Sequence, residues 1–142
     1  MSNLYRSFYI NGQWQPGQGS VFRPVINPAT EAVIAEVVDG TVEDVDAAVK
    51  AARQAFSGWS KTPAAERERL ISALKDALKI RAELLAETIS AEMGMPLAMA
   101  RSWQVSGPLY ALGLYAKRAH LMDEVEEVGS AVIVKEPVGV CG

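Results

Sequence analysis

The stretch TVEDVDAAVKAARQAFSGWS, residues 41–60, decides the fold, because its apolar residues return every three or four positions. That spacing places them on one face of a helix. The members of this face are Val42, Val45, Val49, Ala52, Phe56 and Trp59. Thr41 is a candidate N-cap with Asp44 three residues later, and Gly58 is a candidate for the end of the helix. The stretch therefore predicts one long amphipathic helix.

Short strands are predicted before this helix. The pair Asn11-Gly12 lies between aromatic and β-branched residues, and both positions tolerate the positive φ of a tight hairpin turn. The segment VFRPVINPATEAVIAEVV, residues 21–38, predicts two strands joined by Asn27-Pro28-Ala29-Thr30. Proline presets φ in this turn, and the side chain of Asn27 can cap it.

Further helices are predicted after residue 60. Thr62 as N-cap and Pro63 in the first turn begin a second helical stretch, which ends at Gly94 and Pro96. Its apolar face consists of Leu70, Leu74, Leu78, Leu85, Ile89 and Met93. The stretch is long for a globular helix, so we expect a break within residues 79–83.

A third helix is expected to begin near Pro96. Pro108 lies inside it and must kink or split it, because proline donates no hydrogen bond and clashes with the preceding turn. Ser106 is a candidate cap for a restart. An acidic loop then leads to Ala131–Val134, whose β-branched residues predict a strand.

Composition limits the classes of function. The chain has 142 residues, of which 49% are hydrophobic and 22% charged, which is typical of a globular domain with a single core. A net charge of −3 without a basic stripe argues against binding to nucleic acid or to an anionic membrane surface. The sequence shows no apolar run of signal-peptide length and none of membrane-spanning length. We therefore expect a cytoplasmic protein with no nucleic-acid or membrane partner.

The residues alone show no catalytic set. One histidine and one cysteine cannot provide metal-ligand spacing, and Gly139 and Gly142 do not complete a phosphate-binding motif. Cys141 has no neighbour in the sequence that would activate it, so a small buried residue is the favoured interpretation. Core packing is predicted for Trp14 and Trp59, which have apolar neighbours. The run Glu66-Arg67-Glu68-Arg69 predicts a solvated face with local ion pairs. His120 is interpreted either as a dipole partner at a helix end or as a solvated side chain.

Five pieces of the chain, in the same order and spacing, resemble the N-terminal segment of the aldehyde dehydrogenase superfamily. They are FYINGQW (8–14), INPATEAVIAEV (26–37), the helix 41–60, ERERLISALKDALKIRAELLAETISAEMGMP (66–96) and KEPVGVCG (135–142). The resemblance implies an α/β aldehyde dehydrogenase-like fold. In this segment it implies an α+β arrangement of N-terminal β-hairpins, about three amphipathic helices and a terminal strand.

The resemblance also implies a reaction and a division into domains. A family member uses a cysteine thiolate to form a thiohemiacetal with an aldehyde, passes a hydride to NAD or NADP, and releases a carboxylic acid. Residues 1–122 would belong to the dinucleotide-binding domain. Residues 123–142 would begin the oligomerisation ribbon through which a homo-oligomer forms, and the return strand into the cofactor domain. The nucleophilic cysteine, the glutamate base and the cofactor loop would lie beyond Gly142. We therefore expect no catalytic or cofactor-binding residue in this chain, and no activity from it alone.

The resemblance assigns two sites by position. Trp103, Gln104 and Gly107 would face the aldehyde entrance from one helical face. Alternatively, Trp103 packs into the core and Gly107 makes room for Pro108. Glu92 and the main chain near Val25 would match a monovalent cation site, although many members carry aspartate at the position of Glu92.

A second hypothesis treats the chain as a stand-alone assembly or binding module derived from a truncated aldehyde dehydrogenase. The reason for this hypothesis is that an unpaired strand and helices without a covering sheet expose apolar surfaces, which tend to associate with other chains. The coding sequence after the Gly142 codon separates the two hypotheses. A frame that continues with Pro-Trp-Asn indicates a longer enzyme, and a stop codon indicates a short protein.

Overall fold

The computed structural model describes residues 3–142, which combine short strands with helices. The strands are β1 (Asn3–Tyr5), β2 (Ser7–Ile10), β3 (Gln13–Pro16), β4 (Phe22–Ile26), β5 (Val33–Val38), β6 (Glu126–Val128) and β7 (Ala131–Ile133). The α-helices are α1 (Val42–Trp59), α2 (Ala64–Ile80), α3 (Ala82–Met93), α4 (Leu97–Met99) and α5 (Ser106–Lys117). A π-helical segment (Ala100–Val105) and a 3₁₀ helix (Ala119–Met122) complete the elements. This order confirms the predicted α+β segment.

The chain divides into two compact units. The first contains the residues up to Trp59 together with Ala91–Gly94 and Gly139–Gly142, and the second contains Ser60–Ser90 and Met95–Val138. Within residues 3–142, none of the helices has both the length and the apolar composition that crossing a membrane requires.

The first unit contains the predicted hairpin. β2 and β3 pair antiparallel, and Asn11 and Gly12 adopt φ values of 53° and 77° in the turn. The ring of Trp14 contacts the ring of Tyr9 edge-on at a centroid distance of 5.4 Å. Trp14 is nevertheless 72% exposed, so its predicted place in a core is wrong. Its partner in the hairpin lies on the same small sheet, which is too narrow to enclose an indole.

A second sheet in this unit has the order β1-β5-β4. β1 runs parallel to β5, and β4 runs antiparallel to it. The turn between β4 and β5 is the predicted one, because the backbone N–H of Ala29 donates to Oδ1 of Asn27 at 2.9 Å. Ala35 and Val38 of β5 are buried.

Helix α1 begins as predicted, with a reciprocal cap. The backbone N–H of Thr41 donates to Oδ2 of Asp44 at 3.0 Å, and the backbone N–H of Asp44 donates to Oγ1 of Thr41 at 3.3 Å. The helix continues through Gly58, so its predicted end was one residue short. The apolar face of α1 is largely exposed, with Val42 at 72% and Trp59 at 49%, so the predicted burial of Trp59 is wrong. Periodicity predicted the helix but not how far the described residues cover its apolar face.

The second helical stretch breaks where expected. Arg81, with φ −102° and ψ 12°, separates α2 from α3. α3 ends before Gly94, which has φ +71°. The start differs from the prediction, because α2 begins at Ala64 with Pro63 as its N-cap residue and Thr62 one position earlier.

The interruption expected at Pro108 takes the form of a π turn. The chain stays helical from Leu97 to Lys117, and Pro108 lies in the first turn of α5, where a missing N–H is tolerated. Ser106 has helical dihedral angles and does not cap a restart. Its hydroxyl donates to the backbone oxygen of Arg101 instead.

The last part of the chain is a small hairpin followed by irregular backbone. β7 confirms the predicted strand to within one residue, whereas its partner β6 lies in the segment predicted as an acidic loop. Residues 134–142 form no strand. Cys141 is exposed, so its predicted burial is wrong. A segment becomes buried when it pairs as a strand and another element covers it. Within the described residues, the segment 134–142 has neither a strand partner nor a cover.

Candidate functional site

Trp103, Gln104 and Gly107 lie on consecutive turns of the helical segment Leu97–Lys117 in the second unit. All three are exposed, and Trp103 has 65% of its surface accessible. The alternative in which Trp103 packs into a core of this chain is therefore not observed. We call these three residues the entrance face, after the role that the resemblance predicts for them.

Small buried residues pack this segment against α3. Ala100 and Ala86 have no accessible surface, and Val105 is 5% exposed. These three side chains pack together, and Leu97 and Leu109 pack against them. Because alanine allows close approach of two helices, the π segment is held against α3 while the three residues of the entrance face stay exposed.

An ion pair joins the π segment to α3. The guanidinium of Arg101 binds the carboxylate of Glu83, with Nε 3.0 Å from Oε2 and with Nη2 against Oε1. The hydrogen bonds from Arg101 hold the pKa of Glu83 below its ordinary value, and the same contact raises the pKa of Arg101. Both side chains are about half exposed, so the pair adds little stability.

The π turn has a second donor. The backbone N–H of Ser106 donates to the oxygen of Arg101, and the Ser106 hydroxyl donates to the same oxygen at 2.9 Å. Two residues later, Pro108 has no N–H to offer the oxygen of Gln104. The wider turn therefore occurs where an ordinary α-helical hydrogen bond is absent.

Gly107 leaves open space on the entrance face. A Cβ atom built at this position would meet no atom within 4 Å, apart from its own helix backbone and chain neighbours. Glycine destabilises a helix relative to alanine. Its chain neighbours apart, Pro108 among them, the packing around Gly107 therefore gives no reason for glycine at this position.

The two residues assigned to a cation site both belong to the first unit. Glu92 is exposed near the end of α3, and Val25 is half-buried on β4. A Cβ atom at Gly94 would come within 2.8 Å of Cγ of Pro28, so the end of α3 lies against the turn that follows β4. Within residues 3–142, His, Cys, Asp and Glu form no group of three or more able to hold a metal ion. The cation site stays a prediction.

Cys141 does not lie in a catalytic arrangement. Its Sγ atom is 3.9 Å from the oxygen of Gly139, which is a weak contact. With Phe56 and Trp59 it lines an apolar groove of about 290 Å³ in the first unit. The arrangement offers a surface for contact, and within residues 3–142 no base is aligned with the thiol.

Sequence reasoning missed three hydrogen-bonding residues of the second unit. They are Glu83, Ser106 in its role as donor to Arg101, and Asp123, whose carboxylate accepts a hydrogen bond from the N–H of Ala64. Only Ser106 left a signal in the sequence, because a serine two residues before a helical proline is placed to bond a carbonyl of the preceding turn.

Comparisons with known proteins identify the family of this chain. The sequence profile of the aldehyde dehydrogenase family matches residues 14–142. A 3-succinoylsemialdehyde-pyridine dehydrogenase from a Pseudomonas species is 41% identical over 97% of this chain and 29% of its own length. The mouse protein named aldehyde dehydrogenase, cytosolic 1, is 38% identical over 97% of this chain and 29% of its own length.

A solved structure extends the agreement to the fold. A mutant of aldehyde dehydrogenase C from Pseudomonas syringae, crystallised with NAD+ and octanal, superposes with a TM-score of 0.89 at 37% identity. The match covers 94% of this chain and 27% of that protein. The chain thus spans under a third of its relatives' length and corresponds to their N-terminal segment. It belongs to the aldehyde dehydrogenase family.

Proposed function

We propose that the chain is the N-terminal portion of an NAD(P)-dependent aldehyde dehydrogenase, which converts an aldehyde to a carboxylic acid through a cysteine thiohemiacetal. In this oxidoreductase, residues 1–122 are part of the dinucleotide-binding domain, and residues 123–142 begin the oligomerisation ribbon and the return strand. The whole protein is a cytoplasmic homo-oligomer. A relative crystallised with NAD+ and octanal and a mouse relative named as cytosolic support this proposal.

The observation that carries the proposal is the entrance face. It combines a largely exposed indole at Trp103 with open space above Gly107, on a segment anchored from behind by Ala86 and Ala100. An apolar platform beside a gap is suited to holding the hydrocarbon part of an aldehyde, because binding removes apolar surface from water. The role of this chain is therefore to bind and orient the substrate.

The hydride acceptor is NAD or NADP, which supplies the oxidising power when it is bound to the whole protein. The described residues include no glycine-rich loop that would hold its phosphates, since Gly139 and Gly142 do not complete such a motif. Cys141 is not aligned with a base. We therefore expect the isolated chain neither to bind the cofactor nor to oxidise aldehydes.

A chimera tests the proposal. This chain, joined at Gly142 to the part of Pseudomonas syringae aldehyde dehydrogenase C that follows the matched segment, is expected to reduce NAD+ with octanal. Trp103→Ala in this chimera should raise KM for octanal about tenfold, because an apolar contact of the size of an indole is lost. Tyr115→Ala is the matched control, since Tyr115 is 66% exposed on α5.

The outcomes separate the parts of the proposal. A folded chimera without NAD+ reduction contradicts the functional assignment. Equal KM values for Trp103→Ala and Tyr115→Ala contradict the role of the entrance face. Aldehyde-dependent NAD+ reduction by the isolated chain would contradict its expected lack of activity.

One observation favours the second candidate function, a stand-alone assembly module. All residues of β6 and β7 are exposed, including Val132 at 59% and Ile133 at 50%. Sheet edges of this kind pair readily with another chain. Sedimentation as a monomer at high concentration would contradict an assembly role for the isolated chain, and a dimer that Val132→Lys dissociates would support it.

A monovalent cation at Glu92 and the main chain near Val25 is a further part of the proposal. The support is the contact of Gly94 with Pro28, which places the end of α3 against the turn after β4. Unfolding of the chain in K+ and in a bulky organic cation at equal ionic strength tests it. A stabilisation by K+ that Glu92→Gln abolishes is expected, and equal stability in both salts contradicts the site.

A further inference from the structure

We propose that Glu83, Arg101 and Ser106 form a clamp that holds the π turn and thereby sets the direction of Trp103 and Gln104. The proposal rests on the function proposed above for the entrance face and names its positioning residues. None of the three is itself assigned to touch the substrate.

Arg101 is the centre of the clamp because both ends of this residue are held. Its backbone oxygen accepts from the N–H and from the hydroxyl of Ser106. Its guanidinium forms a bidentate contact with Glu83 on α3. One residue thus links the π turn to a neighbouring helix at one end and to α5 at the other.

The π turn needs such support because its hydrogen bonds are less favourable than those of an α-helix. Isolated π turns are rare and occur often at functional sites. Pro108 also withholds a donor from this region. The hydroxyl of Ser106 supplies one additional hydrogen bond to the oxygen of Arg101, five residues before it, which an α-helical register would not favour.

Two of the three residues of the entrance face lie within the clamped segment. Trp103 and Gln104 are between Arg101 and Ser106, and Gly107 follows directly. Loosening the turn would therefore change the direction of the indole relative to α5, while the buried contact of Ala100 with Ala86 still anchors the segment. The expected consequence is altered selection among aldehydes rather than loss of the fold.

The first experiment uses the 142-residue chain. Trp14→Phe and Trp59→Phe leave Trp103 as the single tryptophan, so its fluorescence anisotropy reports how firmly the π turn holds it. Ser106→Ala should lower the anisotropy and Ser106→Thr, which keeps the hydroxyl, should restore it. Glu83→Gln should also lower the anisotropy, since it removes the charge that binds Arg101.

Ser102→Ala is the matched control. Its hydroxyl donates to the oxygen of Ala98 at 3.0 Å. The variant therefore removes a hydrogen bond from the same helical segment and leaves the bond between Ser106 and Arg101 in place. Circular dichroism verifies that each variant keeps its helix content. Equal anisotropy for Ser106→Ala and Ser102→Ala overturns the clamp.

The second experiment uses the chimera and the ratio of kcat/KM for octanal to that for propanal. Ser106→Ala should change this ratio about fivefold, mainly through KM, which corresponds to one lost hydrogen bond. Ser102→Ala should leave it unchanged. An unchanged ratio for Ser106→Ala in an active chimera overturns the clamp and leaves the proposed function intact. An inactive parent chimera contradicts the proposed function, and the anisotropy then decides the clamp by itself.

Discussion

The carboxylate of Asp123 caps helix α2 from a position 59 residues away in the chain. Its Oδ2 atom accepts a hydrogen bond from the backbone N–H of Ala64 at 3.1 Å. The first N–H groups of a helix have no partner within the helix, and a negative charge at this end also interacts favourably with the helix dipole. Asp123 therefore ties the end of the 3₁₀ helix Ala119–Met122 to the start of α2, within the second unit.

Removing this carboxylate should destabilise the chain. We expect Asp123→Ala to lower the free energy of unfolding by about 1 kcal/mol, the usual loss when a helix cap is removed. Asp123→Asn keeps an acceptor and should recover most of the lost free energy of unfolding. Urea unfolding measures the effect, with Glu124→Ala, at the next position, as the control. An equal loss in Asp123→Ala and Glu124→Ala would show that the cap contributes nothing.

The cap of α1 is local and should respond to a change in one hydroxyl. Thr41→Ala removes the acceptor for the N–H of Asp44 and a donor to the Asp44 carboxylate. We expect a loss of about 1 kcal/mol in the free energy of unfolding. Thr41→Ser retains the hydroxyl and should stay close to the original stability. Thermal or urea unfolding that fails to separate alanine from serine would contradict the reciprocal cap.

Asp44 should make stability depend on pH in the acidic range. Hydrogen bonds from Thr41 and from the backbone N–H of Gln18 favour its charged form and hold its pKa below the ordinary value of 3.8, although burial opposes this. Because the folded pKa is the lower one, the contribution is complete above the ordinary value. It is lost as the pH falls through the folded pKa.

The measurement for Asp44 is urea unfolding across a pH series. The difference in unfolding free energy between the original chain and Asp44→Asn should be largest near neutral pH and shrink in acid. Asp46→Asn, an exposed position on the same helix, serves as the control. A difference for Asp44→Asn that stays constant with pH would contradict the assignment.

The sequence predicted those parts of the fold that neighbouring residues determine. The Asn11-Gly12 turn follows from the tolerance of both residues for positive φ, and the start of α1 follows from Thr41 and Asp44. Gly94 ends α3 for the same kind of local reason. Local backbone chemistry is sufficient for these features because the partners lie within three residues of each other.

The features that sequence reasoning missed depend on partners distant in the chain or on surface coverage. The cap of α2 comes from Asp123, so the Thr62-Pro63 pair could not reveal it. The π turn has a hydrogen bond from the hydroxyl of Ser106 and packs against α3, and the spacing of apolar residues predicts neither contact. The apolar neighbours of Trp14 indicated a contact with Tyr9 but not that both rings would remain exposed.

The resemblance predicted the entrance face, and the structure adds the open space at Gly107. A substitution at this position should therefore change stability and substrate binding in opposite directions. Gly107→Ala should raise the free energy of unfolding by about 0.5–1 kcal/mol, because alanine favours a helix and its Cβ would meet no atom within 4 Å. In the chimera the same methyl group would occupy the open space at this position of the entrance face, so KM for octanal should rise. Gly113→Ala on α5 is the control, since its Cβ would meet Lys75 Cδ at 3.8 Å, an ordinary contact. Urea unfolding and octanal kinetics on both variants test the pair of effects. A Gly107→Ala chimera that is stabilised yet keeps its KM would show that this space is not used by the aldehyde.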